Sequence, residues 1–124
     1  FLWIDANSDT LRTSWMDPEF TSDETVGPVS QQEENANSLL NHYKKWIHLR
    51  NHNELLTKGS IEEFENQNRN LLAFTRAIDD EKLHVIHNLS SKSQTLKVSP
   101  KTFVYGQENL DNGKLKASQS IIFK

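Results

Sequence analysis

The sequence predicts an α+β fold: an irregular N-terminal segment and one long helix, followed by a small antiparallel β-sheet or sandwich. Three observations carry this. Apolar residues recur at helical spacing between Asn35 and Asn51, they alternate with a period of two from Ser60 onward, and residues 1–34 show neither period.

The N-terminal segment opens on the apolar run Phe1-Leu2-Trp3-Ile4, which Asp5-Ala6-Asn7-Ser8-Asp9 cuts off. Pro18 and Gly27-Pro28 punctuate the remainder, so the segment reads as a long loop. Trp3, Trp15 and Phe20 would be costly to leave in water and are expected to pack on something. The helix follows. Leu39, Leu40, Tyr43, Trp46, Ile47 and Leu49 form one face, because spacings of about four, seven and eight return to the same side of a helix. Asn35 or Asn37 can accept a hydrogen bond from the exposed N–H groups of the first turn and so cap it. Lys44, Lys45 and Arg50 lie toward its C-terminal end, where cations suit the dipole. A helix of about 17 residues is about 25 Å long. Gly59 marks the break before the next element.

Beyond Ser60 the reading is a hairpin and further short strands. Leu72, Phe74 and Ile78 alternate with Leu71, Ala73, Thr75 and Ala77. Asp79-Asp80-Glu81 makes the turn, and Leu83, Val85, His87 and Leu89 alternate with His84, Ile86 and Asn88. Further strands are expected at Ile61–Glu65, Gln94–Val98, Thr102–Tyr105 and Leu115–Phe123, with turns near Gly106 and Asn112-Gly113.

Composition narrows the functional classes. The formal net charge is −3, with eight acids against Arg12 alone in residues 1–34, while residues 35–58 and 59–124 are mildly basic. No strongly basic footprint exists, which argues against a nucleic-acid partner. Nothing approaches the roughly 20 apolar residues of a membrane helix, so no membrane partner is expected. With no cysteine there are no disulfides and no thiolate sites, and the compartment stays open. Mean hydropathy is −0.72, low for a self-sufficient globule, and part of the apolar surface is expected to need a partner. The start at Phe1, without Met or a charged leader, points to a piece of a longer chain.

The stretch Ser38-Leu39-Leu40-Asn41-His42-Tyr43-Lys44-Lys45-Trp46-Ile47-His48-Leu49-Arg50-Asn51 resembles the last barrel helix of α-amylase-family glycoside hydrolases, which typically reads S-L-L-N-H-Y-R-K-L-I-x-L-R-N. Asn53-Glu54-Leu55-Leu56-Thr57-Lys58-Gly59 is similar to the N-P-A-L-x-x-G segment that follows, without its proline. Upstream, Val29-Ser30-Gln31-Gln32 resembles a V-x-x-Q segment, and Phe1-Leu2-Trp3 with Thr13-Ser14-Trp15 resembles the end of an R-E-P-F-x-W motif and its loop. Downstream, Leu71–Arg76 and Val85–Ser90 resemble the v-x-a-y-x-R and V-x-x-N-F-S strands of the family's C-terminal β-domain.

The resemblance implies that residues 1–57 are the last loop and last helix of a catalytic (β/α)₈ barrel, and that residues 58–124 are the C-terminal antiparallel β-domain. It implies a parent that cleaves α-glucosidic bonds with retention, through a nucleophilic carboxylate and an acid/base carboxyl about 5–5.5 Å apart. Those carboxylates all precede Phe1 in the family, so no catalytic residue is assigned here. The Thr-Ser-Trp loop leans toward an α-amylase acting on starch or maltodextrins, with α-glucosidases and trehalose-cleaving hydrolases as alternatives.

For this chain, then, the first expectation is a structural cap whose partner is the catalytic barrel. The second is an α-glucan-binding module, with Trp3 and Trp15 as substrate-binding candidates because aromatic rings offer apolar faces to sugar C–H surfaces. The acids Asp5, Asp9, Asp17, Glu19, Asp23 and Glu24 do not follow the EF-hand spacing and read as a solvated loop. His48 and His52 have the i, i+4 spacing of a helical zinc pair but no evident third ligand. No metal or cofactor is therefore assigned to the chain, and calcium is left open for the parent. Asn88-Leu89-Ser90 fits an N-glycosylation pattern but is read as a structural asparagine at a strand end. The helix face is expected to make an isolated chain self-associate through Leu39, Tyr43, Trp46 and Ile47.

Overall fold

A computed structural model describes residues 3, 4, 10 and 27–124. Contacts divide the chain into two compact units, Phe1–Arg50 and Asn51–Lys124.

In the first unit, Pro28 precedes a short helix α1 (Val29–Glu34), its fixed backbone suiting a helix start. A second helix, α2, spans Leu39–Asn51. The single helix expected from Asn35 is therefore shorter, and α1 was not foreseen. The reason is local. Asn35 does not cap α2 but closes a turn, its Oδ1 accepting from the Asn37 N–H at 3.0 Å. Ser38 is the cap: its Oγ accepts from the Asn41 N–H at 3.1 Å and donates to the Gln32 carbonyl at 2.6 Å.

Asn41 Nδ2 faces the carbonyls of Gln32, Glu33 and Asn35 at 2.9–3.0 Å, which satisfies the open C-terminal end of α1. Gln32 in turn donates to the Gly27 carbonyl at 2.8 Å and accepts from the Leu40 N–H at 3.3 Å. The family-like residues Gln32, Ser38 and Asn41 thus form one polar latch between the helices. Neither helix buries an apolar residue completely.

The second unit begins with α3 (Glu54–Lys58), capped by the Asn53 side chain, which accepts from the Leu56 N–H at 3.3 Å. A five-stranded antiparallel sheet follows, ordered β1-β2-β3-β8-β5, from Ser60–Glu63, Leu71–Ile78, Glu81–Asn88, Ser120–Phe123 and Phe103–Tyr105. A three-stranded sheet is ordered β4-β7-β6, from Gln94–Thr95, Lys114–Leu115 and Leu110–Asp111.

The β2–β3 hairpin pairs Leu71 with Asn88 through to Ile78 with Glu81, as the alternation implies. Its two-residue turn has Asp79 at φ 50°, a left-handed conformation that Asp tolerates. Asn112 and Gly113, at φ 47° and 74°, make the tight turn between β6 and β7. The strand expected over Leu115–Phe123 is two strands, β7 and β8, because residues 116–119 turn between the sheets.

Leu71, Ile86, Leu96, Leu115, Ile121 and Phe123 form the core, with Phe64, Ala73, Val98, Phe103 and Leu110 packed around it. These residues come from both sheets, so the unit is a small sandwich. Full burial of side chains such as Leu115 and Ile121 contributes about 1.5–3 kcal/mol each. On the opposite face of the large sheet Leu83, Val85 and Ile122 are also buried, and α3 lies against β2 and β3.

Arg76 fastens α3 to the sheet. Its guanidinium donates to the Leu55 carbonyl at 3.1 Å and the Leu56 carbonyl at 3.3 Å, closing the helix's C-terminal end. Gly59 sits so close that a Cβ there would lie 2.5 Å from the Leu55 oxygen. Both the glycine and the arginine of the family-like motifs thereby acquire a physical reason.

Candidate functional site

Trp3 is half exposed at 51%, and its carbonyl accepts from the Ser30 N–H at 3.0 Å. Trp15 and Phe20, like the acidic residues from Asp5 to Glu24, lie outside the described residues. In the second unit the aromatic rings are committed to packing. Phe123 is buried, Phe64 and Phe103 pack on the core, and Phe74 and Tyr105 are half-buried. No tryptophan and no exposed aromatic ring occurs there.

The histidines divide by location. His42 lies edge-on to Tyr43 and Trp46 on α2, with ring centres 6.5 and 6.1 Å apart. Neither His48 nor His52 joins a cluster able to hold a metal among the described residues. His84 is set between the rings of Phe64 and Phe123, at 5.0 and 5.3 Å, with its Nδ1 at 2.9 Å from the Thr75 hydroxyl. His87 Nδ1 is 2.6 Å from the Ser120 hydroxyl. Burial lowers the pKa of both, and the nearby Lys82 adds to the shift at His84. They are neutral, hydrogen-bonded packing residues at pH 7.

Asn88 is a structural hub. It is 2% exposed, and its Nδ2 donates to the carbonyls of Lys92, Leu115 and Lys116 at 2.8, 3.1 and 3.0 Å. Its Oδ1 accepts from the Ser90 N–H at 3.0 Å and the Ser90 hydroxyl at 2.8 Å. The amide that a glycan would need is buried and fully used, so the strand-end reading of this motif holds.

Among the described residues, two hollows stand out on the surface of this unit. One, about 340 Å³, is lined by Glu54, Leu55, Ile78, Asp79, Asp80 and Glu81. Within it Glu54 pairs with Lys58 at 2.8 Å, which lowers the carboxyl's pKa through that hydrogen bond. The other, about 410 Å³, is lined by Asn66, Gln67, Asn68 and Arg69 from the β1–β2 loop and by Thr95 and Lys97. The sequence reading missed it. Its one local signal is the amide-rich run Asn66-Gln67-Asn68-Arg69-Asn70, which contains no hydrophobic residue.

Residues 71–122 match the family described as the alpha-amylase SusG C-terminal domain. Alpha-amylase 3 of Dictyoglomus thermophilum is 33% identical over 95 residues, covering 77% of this chain and 19% of that protein. Alpha-amylase SusG of Bacteroides thetaiotaomicron is 31% identical over 134 residues, covering 94% and 19%. Among solved structures, the α-amylase from H. orenii superposes with a TM-score of 0.68 at 34% identity, covering 88% of this chain and 24% of that one. The chain spans about a fifth of the length of the curated relatives it matches.

Proposed function

Because this chain belongs to the C-terminal part of the α-amylase family of glycoside hydrolases, we propose that it serves as the structural cap of a retaining α-glucosidic-bond hydrolase, an α-amylase acting on starch or maltodextrins. In this reading residues 1–57 complete the catalytic barrel, residues 58–124 form the domain that covers it, and neither supplies a carboxylate to the chemistry. The chain needs no cofactor of its own, and calcium is a matter for the parent.

One observation carries the choice of cap over binding module. The second unit has a closed apolar core and, among the described residues, no exposed aromatic ring on which a glucan could stack. The α2 side chains Leu39, Tyr43 and Ile47 are 67%, 60% and 56% exposed along one stripe, which favours a covering partner for that face. The barrel is that partner in the parent. Without it, the chain self-associates through Leu39, Tyr43, Trp46 and Ile47, and light scattering of the isolated chain checks this: a clean monomer at high concentration contradicts it.

The test of the cap is a titration of the 124-residue chain with maltoheptaose, followed by calorimetry and tryptophan fluorescence, beside a hydrolysis assay of the full-length enzyme. The expected result is no saturable binding by the chain and maltodextrin hydrolysis by the parent. Saturable binding lost in a Trp3→Ala or Trp15→Ala variant would instead establish the glucan-binding module. Hydrolysis confined to isomaltose or trehalose by the parent would move it to the related glucosidases.

A further inference from the structure

The hollow between the β1–β2 loop and the strand that starts at Gln94 has features that packing does not explain. Its two walls are pinned. Asn68 Nδ2 donates to Gln94 Oε1 at 2.9 Å across 26 residues of sequence, and Asn70 Nδ2 reaches the same oxygen at 3.4 Å. Gln94 Nε2 is held by the Ser90 hydroxyl at 2.9 Å, next to the Asn88 hub. Within the loop, Asn66 donates to the Asn68 and Leu71 carbonyls at 3.0 and 2.9 Å, and its Oδ1 accepts from the Asn68 N–H at 3.0 Å. The amides of Asn66, Asn68 and Gln94 thus brace the hollow and are consumed in doing so.

What remains for a ligand is a different set. Among the described residues no hydrogen bond or ion pair holds the Arg69 guanidinium or the Thr95 hydroxyl, and Lys97 meets only the neutral Gln67 Oε1. Two cations therefore line a hollow of about 410 Å³ that no carboxylate lines, in a chain whose net charge is −3. Three other lysines of this unit are matched with acids, Lys58 with Glu54, Lys82 with Glu62 and Lys124 with Glu81. A planar guanidinium and an ammonium lining one hollow suit an oxyanion, which the guanidinium can grip by two parallel hydrogen bonds. The lack of an aromatic platform disfavours a neutral sugar face, whereas the Gln67 amide and the Thr95 hydroxyl suit ligand hydroxyls.

We propose that this hollow binds a carbohydrate carrying a phosphate ester, with Arg69 and Lys97 on the phosphate and Gln67 and Thr95 on neighbouring hydroxyls. The carbohydrate half of this assignment rests on the α-glucan reading above, and the anion half rests on the hollow alone. The Asn68–Gln94 bridge fixes the backbone on either side of the hollow, so the ligand needs to order only the Arg69 and Lys97 side chains.

The test uses the 124-residue chain, titrated in parallel with a maltodextrin bearing 6-phosphate groups, its unphosphorylated counterpart and inorganic phosphate. Calorimetry at two salt concentrations reads the affinity. The expected result is saturable binding of the phosphorylated chain, about tenfold weaker in Arg69→Gln and in Lys97→Gln, with no binding of the neutral chain. A Glu65→Gln control is expected to bind as the native chain does. Equal binding of inorganic phosphate and the phosphorylated chain would overturn the carbohydrate assignment. Binding of the neutral maltodextrin that Arg69→Gln leaves intact, or no binding at all, would overturn the site. Either failure is distinct from failure of the cap reading, which is decided by maltoheptaose binding that Trp3→Ala or Trp15→Ala abolishes, with hydrolysis by the full-length enzyme deciding the parent's substrate. Circular dichroism and thermal melting of each variant confirm that a lost affinity is not a lost fold.

Discussion

Each of the two units of this chain is stabilised by different physics. The β unit buries Leu83, Ile86, Leu115, Ile121 and Ile122 almost completely. The helical unit buries no side chain of α1 or α2 that completely, relying instead on the polar latch of Gln32, Ser38 and Asn41. Each hydrogen bond of that latch is worth about 1 kcal/mol net, because water competes for the same groups. An isolated helix of this length is marginal in water. The contrast teaches that apolar closure and polar geometry do separate jobs: the first gives the β unit its stability, the second fixes the angle at which α2 is presented.

The strongest way to break this comparison is in the β core. Ile121→Ala or Leu115→Ala removes buried methyl groups and leaves a cavity, and is expected to cost about 2–5 kcal/mol in urea unfolding followed by circular dichroism. Next comes the hub. Asn88→Ala leaves the carbonyls of Lys92, Leu115 and Lys116 without their donor and is expected to cost about 2–3 kcal/mol by the same measurement. Arg76→Gln, which loosens the end of α3, is expected to cost about 1–2 kcal/mol.

Acid gives a smaller effect. The folded-state pKa values of His84 and His87 lie below the ordinary 6.5, so the unfolded chain binds more protons between the two values. The stability they contribute is fully present above pH 6.5 and is lost as pH falls below it toward the folded-state values. The urea midpoint is therefore expected to be flat above about pH 7.5 and to decline below 6.5, before most carboxylates titrate. A His84→Gln, His87→Gln pair is expected to flatten that decline. The smallest effect sharpens the contrast: Ile47→Ser, on the exposed stripe of α2, is expected to change the β unit's stability by less than about 0.5 kcal/mol while suppressing self-association.

How legible all this was in sequence follows the same division. The β2–β3 hairpin and its register are written in the alternation from Leu71 to Asn88, because a slip by one residue would expose the whole core face. The tight turn at Asn112-Gly113 was legible for a similar reason, since few residues tolerate positive φ. The start of α2 was not. Asn35, Asn37 and Ser38 are all good caps, and only the place of the Gln32 carbonyl decides among them. The basic hollow was invisible because Arg69 and Lys97 are separated in sequence and meet through the Asn68–Gln94 bridge. Trp3, which the sequence reading expects to pack, is 51% exposed, and Trp15 falls outside the described residues.

The position of β8 has a consequence for biosynthesis. Residues 120–123 form the last strand in this chain, yet they insert between β3 and β5 and bring Ile121, Ile122 and Phe123 into the interior. On the ribosome, the β2–β3 hairpin emerges with its inner edge open and waits for a strand more than thirty residues downstream. Until that strand arrives, β3 presents unpaired backbone groups and apolar side chains to whatever is near. The interval between translating Asn88 and releasing Phe123 is thus the vulnerable period for this fold, when a chaperone's grip or a slowed codon would matter most.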